Sequence, residues 1–189
     1  QEKNEIESCR KKYQIPETYI LFVGTSDPRK NIQTIVRSMA YLPASVKLVC
    51  TGWAGWDRSF GQDAKLAKNR VLLTGYVSDR ELACLYSGAR AFVYPSVYEG
   101  FGLPVLEAMA CGCPVVCANR ASLPEVAGDA ALYCAPDDPE CFRDRINKLC
   151  SDVGLCEKMR KKSIAQAEKF SWAKTAEKTI KVFYHIAHL

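Results

Sequence analysis

The chain has 189 residues, 48% of them hydrophobic and 25% charged, with a net charge of +5, which suits one compact α/β core. The longest apolar stretch, Ala108 to Ala118, falls short of the ~20 residues of a membrane span and contains Gly112 and Pro114. This excludes a spanning helix and implies a soluble chain.

The first 18 residues open with QEKNEIESCRKK, which has neither an initiator methionine nor the apolar core of a signal peptide. They are expected to be a helical lead-in or interdomain linker, and the chain a piece of something longer. From Tyr19 onward short apolar runs alternate with helical segments, the pattern of a parallel sheet covered on both faces. The expected strands are YILFV (19–23), VKLVC (46–50), RVLLT (70–74), AFVY (91–94), PVVC (114–117) and ALYC (131–134). Six such strands predict a Rossmann-like, doubly wound sheet. Helix starts agree: Ser78 with Glu81 three residues on, Ser122 ahead of Pro124 and Glu125, and Asp138 before Pro139. After Pro136 only helical periodicity follows, so a helical tail closes the domain, with His185 and His188 on the solvent edge of its last helix.

The basic cluster EKMRKKS, around Lys158 to Lys162, falls on a helix and reads as a solvated face. No basic groove interleaved with aromatics is present, which argues against a nucleic-acid partner. Ten cysteines in 189 residues lie below the roughly 8–10% of disulfide scaffolds. Cys50 and Cys117 fall in apolar runs where a thiol packs as a small hydrophobe, so a reduced, cytoplasmic protein is expected. Cys111 and Cys113 lack CxxC spacing and a neighbouring histidine, so no metal site is expected.

In an open α/β sheet ligands bind beyond the carboxyl ends of the strands. After the first strand comes GTSDPRKN, where Gly24 permits a tight exit and Arg29 and Lys30 place two cations before a helix N-terminus. After the fourth comes PSVYEGFGLPVLEAMA. There Gly100 and Gly102 allow close backbone approach, Pro104 fits a first helical turn, and Glu99 and Glu107 bracket the loop. A ligand with an anion between two polyhydroxyl groups would use this layout: the anion at the helix start, one sugar at each acid. A solvated loop glutamate and a glutamate favourable to the helix dipole explain the same two residues equally well.

The stretches EGFGLPVLEAMACGCPVV, FVGTSDPRKN, GYVSDRELACLYSGARAFVYPS, ASLPEVAGDAALY and FSW together resemble the C-terminal, donor-binding domain of the retaining glycosyltransferases of GT-B fold, over about residues 19–189. The E-x7-E spacing of Glu99 and Glu107 is the most specific part of the likeness. The resemblance implies that Glu99 approaches hydroxyls of the donor sugar and that Glu107 holds the nucleotide ribose. It places the backbone around Gly100, Phe101, Gly102 and Leu103 against the sugar and diphosphate, although Pro104 has no N–H to give. Lys30 matches the lysine on the diphosphate and, with Glu99, would serve the reaction. Many members carry an arginine directly after the glycine matching Gly24, where this chain has Thr25, and Arg29 is the nearest substitute. Tyr76 and Val77 match the segment beside the nucleobase, while Trp53 and Trp56 either line the base pocket or pack against the following helix.

No cofactor is implied. The donor, GDP-mannose or a UDP-hexose, is a substrate, and catalysis is expected without metal. An N-terminal acceptor domain of the same full-length chain is the implied partner, and peripheral membrane association of that parent stays open. A nicotinamide-dependent oxidoreductase is disfavoured because GTSDPRKN lacks G-x-G-x-x-G. A stand-alone nucleotide-sugar module and a sugar-nucleotide epimerase of the same fold are the remaining alternatives.

Overall fold

The computed structural model describes residues 1–25, 27–52 and 69–187. A six-stranded sheet is built from β1 (Tyr19–Val23), β2 (Lys47–Thr51), β3 (Val71–Gly75), β4 (Ala91–Tyr94), β5 (Val115–Ala118) and β6 (Ala131–Cys134). Its order is β3-β2-β1-β4-β5-β6 and every pairing is parallel. The described helices are α1 (Lys3–Lys12), α2 (Ile32–Met39), α3 (Asp79–Gly88), α4 (Leu103–Ala110), α5 (Leu123–Ala127), α6 (Pro139–Ser151), α7 (Val153–Ala167) and α8 (Trp172–Ala187). This is the doubly wound sheet expected from the alternating pattern. The central strands β1 and β4 are buried almost throughout, as continuous apolar runs of a two-sided parallel sheet must be.

Three strands begin one residue later than their apolar runs suggest, for reasons of hydrogen bonding. Val46 closes a turn by donating its N–H to Pro43 O (3.0 Å), so β2 starts at Lys47. Arg70 O accepts from Leu48 N just before β3. Pro114 has no N–H and contributes only its carbonyl, to Phe92 N (2.8 Å), leaving Val115 to open β5.

Ser78 caps α3 in a capping box with Glu81, and Asp138 caps α6 by accepting from Cys141 N. Ser122 does not act as the expected cap of α5: its backbone is already helical and its hydroxyl is turned elsewhere. Within residues 1–18, α1 lies along α3, with Cys9 and Ile15 buried and ion pairs Lys12–Glu81 and Arg80–Glu5 across the seam. The basic cluster on α7 is only partly solvated. Lys158 and Lys161 are exposed, but the Arg160 guanidinium turns inward to Ala89 O (3.0 Å), Gly112 O (3.1 Å) and Ser87 O (3.4 Å). It thereby satisfies carbonyls at the C-terminal ends of α3 and α4 that their helices leave open.

The cysteines also depart from expectation at one pair. The turn from β6 into α6 brings Cys134 and Cys141 together as a disulfide, Cα atoms 5.7 Å apart. The thiols of Cys50 and Cys117 pack as apolar groups, as expected: both are buried, and burial pushes Cys50 far above its ordinary value and Cys117 up to about 12. His185 is exposed on α8, as predicted, whereas His188, Trp53 and Trp56 lie outside the described residues. No helix among the described residues is long and apolar enough to cross a membrane.

The exits of β1, β2 and β3 are tied side by side. Gly24 N donates to Thr51 O (3.0 Å) and Gly52 N to Gly75 O (3.1 Å). A Cβ on Gly52, whose φ is +132°, would stand 2.0 Å from Gly24 O, so this crossing needs glycine at 52. A Cβ on Gly100 would meet nothing within 4 Å. We therefore expect Gly52→Ala to lower stability by about 2–4 kcal/mol from combined backbone strain and overlap. Gly100→Ala should change it by no more than about 0.5 kcal/mol. Urea unfolding of the two variants checks this, and equal effects would mean that the crossing tolerates a side chain.

Candidate functional site

Strand β1 continues to β2 on one side of the sheet, whereas β4, on its other side, continues to β5 further out. The connections after β1 and β4 therefore leave in opposite directions and open a crevice at the carboxyl ends of the two strands. Both sequence-predicted loops meet there. Val97 N donates to Arg29 O (2.9 Å), joining the β1 loop to the β4 loop through main-chain atoms, and Ser96 Oγ lies 3.0 Å from the same carbonyl.

Lys30 and Glu99 are brought together by this junction. Lys30 Nζ donates to Glu99 Oε1 at 2.8 Å and to Tyr94 Oη at 2.6 Å, with the two charged side chains only 19% and 13% exposed. Glu99 Oε1 also accepts from Tyr94 Oη (2.9 Å) and Ser96 Oγ (2.6 Å). One oxygen thus takes three donors, while Oε2 receives none among the described residues. Burial works against the charge on Glu99, yet Lys30, Ser96 and Tyr94 together outweigh it and hold the carboxyl below its ordinary value of 4.5. Burial, and then the charge on Glu99, push the Tyr94 phenol far above its ordinary range, so it stays a proton donor.

Lys30 ends a short 3-10 turn, Pro28–Lys30, whose first amides are capped by Asp27. The turn stops at Asn31, which adopts a left-handed backbone (φ 51°), a conformation asparagine reaches more easily than most residues. Asn31 Nδ2 donates to Pro136 O (2.6 Å) and Pro95 O (3.3 Å), pinning the base of the lysine to the loops after β6 and β4. Asn31 was not singled out from the sequence, although an asparagine closing a Pro-Arg-Lys turn is a recognisable signal. The Arg29 guanidinium does not join Lys30: it is 62% exposed and paired with Asp27 (2.7 Å).

The Glu99–Gly102 turn is secured by Ser122. Its Oγ lies 3.0 Å from Glu99 O and 2.8 Å from Phe101 O, which accounts for its absence from the α5 cap. Phe101 packs edge-on against Phe170, ring centroids 5.9 Å apart. Gly102 precedes α4 with φ +99°, and Pro104 falls in the first turn. The Gly102 and Leu103 amides have no acceptor among the described residues, so α4 presents free donors and the positive end of its dipole. Glu107 lies one turn further along, exposed, and Tyr86 Oη donates to its Oε2 at 3.3 Å. Tyr76, at the end of β3, is 79% exposed, and Val77 beside it is buried. The arrangement offers a cation, free amides and two carboxylates along one edge, a set matched to a ligand carrying both phosphate and hydroxyls.

A carboxyl held below its unfolded value stabilises the fold above that value and loses the contribution as pH falls through the lowered one. The stability advantage of the native chain over Glu99→Gln should therefore be constant near neutrality and shrink below about pH 4.5. Urea midpoints of both proteins from pH 7 to pH 3 measure this. A difference that stays constant across the range would mean that the Glu99 charge is not held by its neighbours.

The chain matches the family described as Glycosyl transferases group 1 over residues 5–170. It is 41% identical over 180 residues to O-antigen chain mannosyltransferase B of Escherichia coli, covering 91% of this chain and 47% of that protein. It is 33% identical over 187 residues to the serotype-specific mannosyltransferase WbdA of Escherichia coli, covering 94% of this chain and 23% of that one. The chain thus spans less than half the length of these relatives. Among solved structures, Anabaena HepE in complex with UDP and glucose superposes with a TM-score of 0.88 at 19% identity, over 98% of this chain and 53% of that one. Sucrose-phosphate synthase from Thermosynechococcus elongatus superposes with a TM-score of 0.81 at 26% identity, over 96% and 49%. The fold is one Rossmann-like half of a GT-B glycosyltransferase, and the chain belongs to the group 1 glycosyl transferases.

Proposed function

We propose that the chain is the donor-binding half of a retaining hexosyltransferase, which moves a sugar from a nucleotide diphosphate donor to an acceptor hydroxyl. The observation that carries this reading is the junction of Lys30 and Glu99 beside the free amides that open α4. A lysine ammonium has three N–H donors. Two of those on Lys30 are engaged by Tyr94 and Glu99, and the third is available to a diphosphate oxygen. Lys30 and the α4 N-terminus would stabilise the charge that grows on the departing diphosphate. Glu99, with Oε2 open, would accept from hydroxyls of the donor hexose, and Glu107 from the ribose. Tyr76 and Val77 would lie beside the base.

Two relatives named as mannosyltransferases support GDP-mannose as donor, while the UDP bound in the Anabaena structure keeps a UDP-hexose in view. No divalent metal is assigned a part. An acceptor domain belonging to the same full-length protein is the proposed partner, supported by the share of each relative that the chain spans. The helix α8 supports it too: none of its described residues is buried, and Trp172, Ile180 and Phe183 are exposed. That domain would hold the acceptor near the anomeric carbon and exclude water.

Glu107→Ala should weaken binding of nucleoside diphosphate and nucleotide sugar alike, by about 1.5–3 kcal/mol for lost charge-assisted hydrogen bonds. Glu99→Ala should weaken only the sugar-bearing ligand. Calorimetry with GDP, UDP and their hexose conjugates separates the two, and equal losses in both variants would remove the assignment of roles.

Lys30→Ala should lower diphosphate affinity and flatten its salt dependence, whereas Lys161→Ala, on the exposed face of α7, should do neither. The native chain should bind nucleoside diphosphate in the presence of chelator and transfer no sugar by itself. Titration and a radiolabelled-donor assay over a broad acceptor panel test the two halves. Measurable transfer by this chain alone would overturn the half-enzyme reading.

A further inference from the structure

The two carboxylates of the site are held in the same way, although they lie on different elements. Each has one oxygen facing a phenol from the core and the other without a protein donor among the described residues. For Glu99 the phenol is Tyr94, helped by Ser96 and Lys30. For Glu107 it is Tyr86 alone, whose Oη lies 3.3 Å from Oε2. Glu107 is exposed and carries no ion pair among the described residues, so without this contact its side chain would sample several rotamers.

Tyr86 itself cannot follow such motion. It is fully buried near the end of α3, and its ring meets Phe92 edge-on at 5.3 Å. Phe92 stacks on Tyr94 at 5.4 Å, and Tyr94 leans on Phe22 at 6.2 Å. The three buried rings Tyr86, Phe92 and Tyr94 thus form a continuous row in the sheet core that ends in one hydroxyl at each acid. Hydroxyl contacts at both ends of one rigid row set the two carboxylates relative to each other.

We propose that Tyr86 is a positioning residue for Glu107: its hydroxyl fixes the carboxylate plane so that the acid accepts from ribose hydroxyls and discriminates ribonucleotides from their deoxy counterparts. The inference rests on the assignment of Glu107 to the ribose under the proposed function. A carboxylate locked at one oxygen meets a hydroxyl without first losing rotamer freedom. A free one loses part of that gain whenever the hydroxyl is present, and nothing when it is absent. Removing the phenol oxygen should therefore act on the difference between ribose and deoxyribose and leave the diphosphate contacts alone. A residue that served packing only would weaken all ligands together.

The test measures dissociation constants of GDP, 2′-deoxy-GDP, UDP, 2′-deoxy-UDP and inorganic pyrophosphate for the native chain, Tyr86→Phe and Glu107→Ala. The native chain should prefer ribo- over deoxyribonucleotides by about tenfold or more, as befits a charge-assisted hydrogen bond. Tyr86→Phe keeps the ring and should cut that preference to about threefold or less, with pyrophosphate binding unchanged. Glu107→Ala should abolish the preference. If Glu107→Ala abolishes it while Tyr86→Phe leaves it intact, the ribose assignment survives and the positioning role falls. If Glu107→Ala leaves the preference intact, or neither ribonucleotide binds, the ribose assignment fails and the positioning role with it. A second measurement needs no folded Tyr86 variant: with 13Cζ-labelled tyrosine, the Tyr86 signal of the native chain should move on adding GDP or UDP and stay still with pyrophosphate. A shift of equal size with pyrophosphate would overturn the inference.

Discussion

The placement of β4 next to β1 is the constraint on which the rest of the site depends. Only Ile20↔Ala91 and Leu21↔Phe92 are in register between the two strands, yet this short parallel pairing sets two loops from distant parts of the chain side by side. One loop brings a cation and the other a carboxylate, and both are withdrawn from water when they meet. Withdrawal would be costly for either charge alone, and the pairing with two added hydroxyl donors is what makes it tolerable. The aromatic rings beneath serve as more than filler, because Tyr94 supplies one of those hydroxyls from within the core.

Around this junction the main chain is braced by side chains that never face a ligand. Asn31 ties the lysine's turn to the loops after β4 and β6, and Ser122 reaches back to two carbonyls of the glycine-rich turn. Both work by satisfying backbone groups that the irregular loop leaves open. Their effect is to fix which way the neighbouring amides point. Free donors at Gly102 and Leu103 are useful to an anion only if the turn before them holds still, and the bracing supplies that stillness.

Further from the site, α7 carries out an unglamorous task with comparable consequences. Arg160 caps the open carbonyls of α3 and α4, Ser163 Oγ donates to Cys113 O (2.9 Å) and Gln166 Nε2 to Val126 O (2.8 Å). One helix thereby clamps the two that carry Tyr86 and Glu107. A run of lysines and an arginine in sequence says nothing of this, since a guanidinium in solvent and one over three carbonyls have the same local neighbours. Inward turning is decided by where the C-terminal ends of α3 and α4 happen to lie.

Much of the architecture follows from short-range chemistry that the sequence by itself determines. Unbroken apolar runs place the six strands to within a residue, the Ser78–Glu81 box and Asp138 mark helix starts, and Gly102 with Pro104 marks the opening of α4. These signals are legible because the residues that satisfy each other lie within one turn of the chain. The resemblance of the Glu99–Glu107 stretch to a glycosyltransferase domain is legible for the same reason, being carried by contiguous motifs. What only the tertiary structure decided spans long stretches of chain: Lys30 against Glu99, Asn31 against Pro136, Tyr86 against Glu107, and Ser122 turned away from its own helix. Their partners are selected by strand order and helix packing, and no local period or turn preference encodes a neighbour that arrives from across the sheet.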